Sequence, residues 1–332
     1  MAKLLRRSTK ESVKQVKDAV DTPSNERVDL DLVNRKVSLD HVVSTGSTLL
    51  DLAISGLRRE EGGIPGGIVV EISGPPGAGK TALLAEICAS AQKKGGDVRF
   101  ADPEARLDKE YSEIYGISLS ERFDYHRPNT VAELFGDHLW AWKPEPQIES
   151  AISVFGADSV AALSTEMEME DEDKMGMRRA KEFSQFLRKT CRLIANNNWL
   201  VVFTNQIRMS QQGRETTPGG MALPFYASLR IRVGPSFRGS KIEKKTKFGT
   251  KEVDKVIGIH STCKIIKSSI DEPYREVPLS IIFNYGVDTI RDELQFFKEM
   301  TSAGNYDCFT KQYVSLEQAI RHIEEKDRKS VV

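Results

Sequence analysis

Residues 74–81 read GPPGAGKT and match the phosphate-binding pattern G-x-x-x-x-G-K-[ST] in full. Its glycines allow a tight turn in which backbone N–H groups point at phosphate oxygens. Lys80 supplies a positive charge for the β- and γ-phosphates, and the Thr81 hydroxyl is a hard oxygen ligand for Mg²⁺. The pattern predicts binding of ATP with Mg²⁺. The residues expected to contact the nucleotide here are Gly74, Pro75, Pro76, Gly77, Ala78, Gly79, Lys80, Thr81 and Ala82.

Three carboxylates are candidates for the chemistry of hydrolysis. Asp158 closes the apolar run AISVFGAD and is expected on the Mg²⁺ side of the nucleotide, although an aspartate before serine also caps helices and turns. Glu104 follows a predicted strand, whose end a parallel sheet brings beside the phosphate loop. A carboxylate there can act as a general base on water. Asp102 competes with Glu104 for this role, and an ordinary loop carboxylate is the alternative for both.

The elements that position these residues alternate between short β-branched runs and helical patterns from about residue 37 to 290. This alternation predicts an α/β fold with a largely parallel sheet. A helix is expected to begin near Lys80, and another to span 177–196, where apolar residues recur at steps of three and four. The pattern turns to strands after Ala227. Strands are predicted before that point at 68–72, 98–101, 123–126, 152–157 and 200–205.

We predict three regions: an N-terminal helix and linker at 1–36 that serves oligomerisation, a core at 37–290, and a small helical cap at 291–332. The composition of the 332 residues, 39% hydrophobic and 29% charged, is typical of a globular protein. No apolar run reaches the roughly 18 residues of a membrane span, and no secretory signal is evident. The four cysteines lack metal-site spacing, which favours a reduced, cytoplasmic protein.

Charge is unevenly distributed although the formal net charge is +0. Residues 238–251 hold six basic residues against Glu243 alone, whereas EMEMEDED at 166–173 holds six acids. A neutral total is compatible with a basic groove for nucleic acid, while solvated surface charge is the simpler interpretation of each run.

Beside the phosphate loop, five further segments stand out along the chain: STGSTLLD (44–51), ADPEARLDKEY (101–111), ADSVAAL (157–163), FTNQIR (203–208) and TTPGGMALPFYASLRIR (216–232). In the order and spacing of these motifs, from about residue 44 to 286, the chain resembles the bacterial RecA recombinases. The resemblance implies a RecA-like P-loop NTPase core with a mostly parallel central sheet, a short N-terminal helix and a small α-rich C-terminal cap.

The resemblance also implies roles at the nucleotide. Catalysis falls to Glu104, which activates water, to Lys80, and to Gln206, which senses the γ-phosphate and couples it to the DNA-binding loops. Tyr111 stacks on adenine with Asp108 close by. Asp158 and Thr81 hold the Mg²⁺.

Further roles implied by the resemblance concern DNA and assembly. Loops at 164–176 and 207–219 would bind DNA, Phe225 would pack across a subunit interface, and Lys267 would reach the neighbour's ATP. Because the first loop is acidic and carboxylates repel phosphates, either this loop turns away from DNA or Arg178, Arg179 and Lys181 just beyond it make the contact. The residues expected to bind DNA are Arg178, Arg179, Arg208, Arg214, Gly219 and Gly220.

The function implied is that of a DNA-dependent ATPase that forms a helical filament on single-stranded DNA. Such a filament promotes pairing and strand exchange with homologous duplex DNA in recombination and repair. Two alternatives are a ring-forming helicase or DNA-remodelling ATPase with the same core, and a weakly catalytic recombination mediator. Ser269 stands where the family has a second interface lysine, and Pro224 also replaces a lysine. These departures indicate a divergent member, of viral or specialised origin.

Overall fold

The fold is described from a computed structural model. The predicted N-terminal helix and linker (1–36) and the acidic run (166–173) lie outside the described residues. The structure describes residues 41–58, 61–120, 122–165, 177–209, 215–218, 220–236, 239–248, 251–308 and 311–330.

Sixteen strands are present in the described part of the chain, ten of them in one central sheet. In chain order they are β1 (Val42–Val43), β2 (Ile64–Pro65), β3 (Ile68–Gly74), β4 (Val98–Ala101), β5 (Phe123–His126), β6 (Val154–Ala157), β7 (Leu200–Gln206), β8 (Arg208–Met209), β9 (Glu215–Thr216), β10 (Leu229–Pro235), β11 (Lys241–Phe248), β12 (Lys251–Ser268), β13 (Glu276–Ile282), β14 (Gly286–Val287), β15 (Tyr306–Asp307) and β16 (Gln312–Tyr313).

Helices flank this sheet and form the C-terminal region. In chain order they are α1 (Thr48–Ser55), α2 (Lys80–Lys93), α3 (Lys109–Ile114), α4 (Val131–Glu133), α5 (Met177–Asn196), α6 (Ala222–Tyr226), α7 (Thr289–Thr301) and α8 (Leu316–Ser330). A π-helix (Leu134–Leu139) continues α4, and a 3₁₀ turn (Val160–Ala162) follows β6. None of the helices in these described ranges is long and apolar enough to cross a membrane.

The sheet order is β14-β13-β12-β10-β3-β7-β6-β4-β5, with β11 paired to β12. Neighbours from β10 to β5 are parallel, and β12, β13 and β14 extend the sheet in antiparallel pairs. The apolar runs of β3 and β7 are buried, as expected for parallel strands covered on both faces. Their register pairs Gly74 with Gln206, so the phosphate loop and Gln206 lie at one edge.

Two hydrophobic clusters cover the two faces of the sheet. Residues of α1 and α2 pack on one face, and residues of α4, its π-helical continuation and α5 pack on the other. In α5 the predicted apolar positions Phe183, Leu187 and Ile194 are buried, because residues three and four apart share one side of a helix. The predicted α/β fold class with a mostly parallel sheet is confirmed.

Some bounds differ from the predictions. The strand predicted at 152–157 begins at Val154, and the helix at 131–139 was not predicted. The C-terminal cap, proposed to be mostly helical, also contains the small hairpin of β15 and β16. Its first helix begins at Thr289 and is fastened to β13, since the Asp292 carboxylate accepts hydrogen bonds from the Ser280 backbone N–H and hydroxyl, both 2.6 Å.

Candidate functional site

The phosphate loop connects β3 to α2 at the carboxyl edge of the sheet, and close approaches explain two of its glycines. A Cβ at Gly74 would lie 2.3 Å from the Val233 carbonyl oxygen of the neighbouring strand. Gly79 has φ +96°, and a Cβ there would lie 2.3 Å from Ile281 Cδ1. A side chain at Gly74 would force the backbones of β3 and β10 apart, and the positive φ of Gly79 is a conformation that other residues rarely adopt. The loop therefore has the compact form that a phosphate cradle needs.

Lys80 is the first residue of α2 and is buried beneath the loop. Its Nζ donates a hydrogen bond to the Pro75 carbonyl oxygen at 2.9 Å. Burial lowers the pKa of the Lys80 ammonium, and the negative charges of Asp158 and Glu104 oppose that shift. Two of the predicted carboxylates are thus electrostatically coupled to the predicted phosphate-binding lysine.

Asp158 follows β6 and faces Thr81 and Thr204. The Thr204 hydroxyl donates a hydrogen bond to Asp158 Oδ1. Burial raises the pKa of Asp158, while hydrogen bonds from Thr204 and Thr81 oppose the rise. One carboxylate and one hydroxyl suit Mg²⁺, which keeps several waters and phosphate oxygens as ligands. Within the described ranges no three His, Cys, Asp or Glu residues group as a metal cage.

Glu104 lies at the centre of the predicted catalytic residues. Its Oε1 accepts hydrogen bonds from the Ser159 hydroxyl at 2.8 Å and from the Gln206 amide at 3.3 Å. Its Oε2 lies 2.9 Å from Arg106 Nε. The structure therefore brings Glu104, Gln206 and the end of β6 together across the edge of the sheet.

Asp102, the competitor of Glu104, is engaged elsewhere. It is buried, and its Oδ2 accepts hydrogen bonds from the backbone N–H groups of Arg106 and Leu107 and from the Tyr125 hydroxyl, at 2.7, 2.7 and 2.8 Å. These three hydrogen bonds to Asp102 fix the conformation of the loop after β4. This geometry favours Glu104 over Asp102 as the residue that faces water.

A cleft of about 490 Å³ extends from the phosphate loop to Tyr111 and Tyr115. Tyr111 lines it, with its ring centroid 4.8 Å from that of Tyr115, and burial raises the pKa of the Tyr111 hydroxyl. Asp108 caps α3, since its Oδ1 accepts from the Tyr111 backbone N–H at 2.7 Å. Sequence reasoning missed three apolar residues of this cleft, which no polar motif marks. They are Ile259, Ile281 and Phe283.

A buried polar network links β3, β7 and β10 to the second loop, and sequence reasoning missed it. Glu71 is fully buried, and its Oε2 lies 2.6 Å from Arg230 Nε. The Asn205 amide donates to Glu71 Oε1 at 3.1 Å and to the Pro218 carbonyl oxygen at 3.2 Å. The available signal was a glutamate within the apolar run IVVEI.

The residues predicted to bind DNA are only partly within the described ranges, which exclude Arg214, Gly219 and the Arg178 side chain. Arg179 Nη1 donates to the Ala161 carbonyl oxygen at 3.2 Å, at the base of the first loop. Arg208 is exposed on β8, which pairs with β9 across the second loop. Gly220, with φ +66°, lies against α5.

The predicted interface residues Phe225 and Lys267 lie side by side. Phe225 is 73% exposed at the end of α6. Lys267 Nζ donates hydrogen bonds to the carbonyl oxygens of Pro224 and Phe225 at 3.0 and 2.8 Å. Burial lowers the pKa of Lys267. In this arrangement the Lys267 ammonium group is hydrogen-bonded to the last turn of α6 and stabilises it.

Comparison with known proteins gives one family-model match and several similar relatives. The family model for the RecA N-terminal domain matches residues 11–288, a range that includes every site residue above. Protein RecA of Thermus thermophilus is 35% identical over 257 residues, which cover 76% of this chain and 69% of that protein. Protein RecA of Brucella canis is 36% identical over 266 residues, which cover 77% and 67%.

Proposed function

The chain belongs to the RecA family, and from this membership we propose that it is a DNA-dependent ATPase of homologous recombination and repair. It binds ATP with Mg²⁺ at residues 74–82, assembles as a helical filament on single-stranded DNA, and pairs that strand with homologous duplex DNA. Base pairing supplies the sequence specificity, and the protein holds the backbone.

The observation that carries this proposal is the pair of adjacent side chains at the end of β7. The Gln206 amide contacts Glu104 in the nucleotide cleft, and the Asn205 amide contacts Pro218 at the second loop. One strand end thus connects the predicted γ-phosphate position to a predicted DNA-binding loop. A change of nucleotide that moves Gln206 can therefore change the loop.

In the proposed hydrolysis, Glu104 orients and deprotonates the attacking water. Its carboxylate already has a fixed hydrogen-bond partner in the Ser159 hydroxyl, so little reorganisation is needed when the water binds. Lys80 stabilises the negative charge of the transferred phosphoryl group. Thr81 and Asp158 hold the Mg²⁺, which when bound neutralises charge on the phosphate oxygens.

Assembly is proposed to complete the site. Phe225 presents an apolar ring for burial against a neighbouring subunit, and Lys267 reaches the neighbour's ATP after leaving the carbonyl oxygens of α6. Ser269, whose hydroxyl donates to the Ser228 carbonyl oxygen at 3.3 Å, offers no second cation. Hydrolysis is therefore expected to depend on the filament less strongly than with two interface lysines.

The test measures ATP turnover with and without single-stranded DNA, together with a strand-pairing assay and electron microscopy. Turnover stimulated by single-stranded DNA, helical filaments and homologous pairing support the proposal. Rings that unwind duplex would replace it with a helicase or DNA-remodelling ATPase. Absence of turnover in every condition would replace it with a recombination mediator.

A further inference from the structure

The hairpin of β11 and β12 extends beyond the body of the protein. Residues 251–256 of β12 pair with β11, and the pairing of β12 with β13 begins at Gly258 and with β10 at Ser261. Ser261 is opposite Pro235, the last residue of β10. At about 3.3 Å per residue, Lys255 lies about 20 Å further out. We call the two paired segments, 243–248 and 251–256, the arm.

The arm is exposed on both of its faces. Every residue from Glu243 to Lys247 and from Glu252 to Lys255 is exposed, and Val253 is 52% exposed. A two-stranded hairpin without a covered apolar face is marginally stable in water. Such an extension gains no stability from a buried apolar core. A role for its side chains therefore lies in contacts outside the subunit.

The strand register separates the charges of the arm by face. Lys245 is opposite Asp254 and Lys247 is opposite Glu252, and the alternation of a strand places Glu243 on the same face. The other face carries no acidic residue, and there Lys244 is directly opposite Lys255. Opposite charges stabilise a cross-strand pair, whereas like charges directly opposed destabilise it. An anion beside the two ammonium groups would relieve the repulsion between Lys244 and Lys255.

The base of the arm contacts the nucleotide cleft. Ile259 lines the cleft, and the Ser261 hydroxyl donates a hydrogen bond to the Ala78 carbonyl oxygen in the phosphate loop at 2.8 Å. The arm thus leaves the same edge of the sheet that carries the phosphate loop and Gln206. An extended anion bound along this edge would meet the arm as well as the second loop.

We propose that the Lys244–Lys255 face of the arm binds the phosphate backbone of DNA, as a contact additional to the two DNA-binding loops. This inference rests on the proposed function, since it concerns the same polymer. Lysine ammonium groups bind phosphates as point charges and do not read bases. The contact is therefore independent of sequence, and it adds to affinity and to salt dependence.

The experiment compares two full-length double variants with equal loss of charge. Lys244→Gln/Lys255→Gln removes the unpaired face, and Lys245→Gln/Lys247→Gln removes the two lysines opposite acids. Binding of each protein to a labelled poly-dT oligonucleotide and to a labelled duplex is measured across a salt series. Sedimentation without DNA reports self-association.

Loss of two phosphate contacts lowers the salt slope by about 1.4 on the single strand or about 1.8 on the duplex, and weakens single-strand binding roughly tenfold at 0.15 M salt. We expect this loss in Lys244→Gln/Lys255→Gln and a clearly smaller one in Lys245→Gln/Lys247→Gln. The probe whose slope changes identifies the strand that the arm holds. DNA-independent ATP turnover should be unchanged in both.

Three outcomes with a wild-type protein that binds DNA would overturn the inference and leave the proposed function standing. The first is an unchanged salt slope in both variants, and the second is an equal fall of the salt slope in both. The third is a loss of self-association, measured in the absence of DNA, that occurs only in Lys244→Gln/Lys255→Gln. The last would assign the arm to contact with another copy of the chain. A wild-type protein that binds neither probe would instead contradict the proposed function itself.

Discussion

The Gln206 side-chain amide donates a hydrogen bond to Glu104 Oε1 over 3.3 Å. Gln206 ends β7, and Glu104 follows β4, so the contact spans the strand β6 that lies between them in the sheet. A neutral amide can donate either to this carboxylate or to a phosphate oxygen, and we propose that it changes partner when the phosphate of a bound nucleotide leaves. The pair therefore has the properties of a nucleotide-dependent switch.

Gln206→Ala is expected to reduce the effect of nucleotide on DNA affinity. Coupling between two sites is typically worth about 5- to 150-fold in affinity, and removal of the amide should bring the ratio of affinities with a non-hydrolysable ATP analogue and with ADP toward one. Anisotropy with a labelled single strand measures that ratio. Glu104→Gln, which keeps an acceptor oxygen for Gln206, is the control. A full ratio in Gln206→Ala would contradict the assignment.

Glu104→Gln is expected to retain nucleotide binding and to lose turnover by about 10²- to 10⁴-fold, since a general base contributes about that factor. Binding is followed with a fluorescent nucleotide, and turnover by phosphate release. Lys80→Ala is the contrasting variant and should lose nucleotide binding as well. Full turnover in Glu104→Gln would show that another residue of the cleft activates the water.

The sequence predicted the elements around the phosphate loop and the grouping of the candidate site residues, because both follow from the local order of strands and helices. The phosphate loop, the strand before it and the helix after it are contiguous, and Asp158, Glu104 and Gln206 each follow a strand of a parallel sheet. Parallel order alone places such strand ends at one edge. The spacing of apolar residues likewise predicted α5 with its bounds, because one buried face of a helix requires that spacing.

Features that depend on distant partners could not be predicted in this way. Glu71 and Arg230 lie 159 positions apart. Neither segment by itself indicates that its charged side chain pairs with the other. The same holds for the hydrogen bond from Tyr125 to Asp102 and for the apolar wall of the cleft beside the phosphate loop. The length of β12 follows from pairing with three different strands, which no local pattern specifies.

Arg230→Met is expected to destabilise the protein strongly. It leaves the Glu71 carboxylate fully buried without its cation, and breaking a buried pair by removing one partner costs about 3–5 kcal/mol. Arg232→Met is the matched control on the same strand, because its partner Glu215 has a side chain 51% exposed. Loss of such an exposed pair costs about 1 kcal/mol or less. Urea unfolding of both variants measures the difference, and equal costs would contradict the argument.

Phe225→Ala is expected to weaken self-association without lowering stability. The ring is 73% exposed, so its removal leaves no cavity in the folded subunit, whereas a buried aromatic at an interface centre is worth about 2 kcal/mol or more. Sedimentation and thermal unfolding together separate the two effects. Phe297→Ala, at a ring 64% exposed on α7, is the control. Unchanged association in Phe225→Ala would remove this residue from the interface.

His138 is expected to make the stability depend on pH. Burial, together with the neighbouring His126 and Arg99 charges, lowers its pKa to about 4, whereas the unfolded chain has a value of about 6.5. Between these values the unfolded chain binds the additional proton, so the contribution of His138 is complete above about pH 6.5 and is lost as the pH falls toward about 4. His138→Gln should therefore unfold with a smaller difference between pH 7.5 and pH 5, measured as free energy in urea at about those two values. His41→Gln, at an exposed position, controls for the loss of one histidine. The assignment is wrong if His138→Gln retains the full wild-type difference between the two pH values.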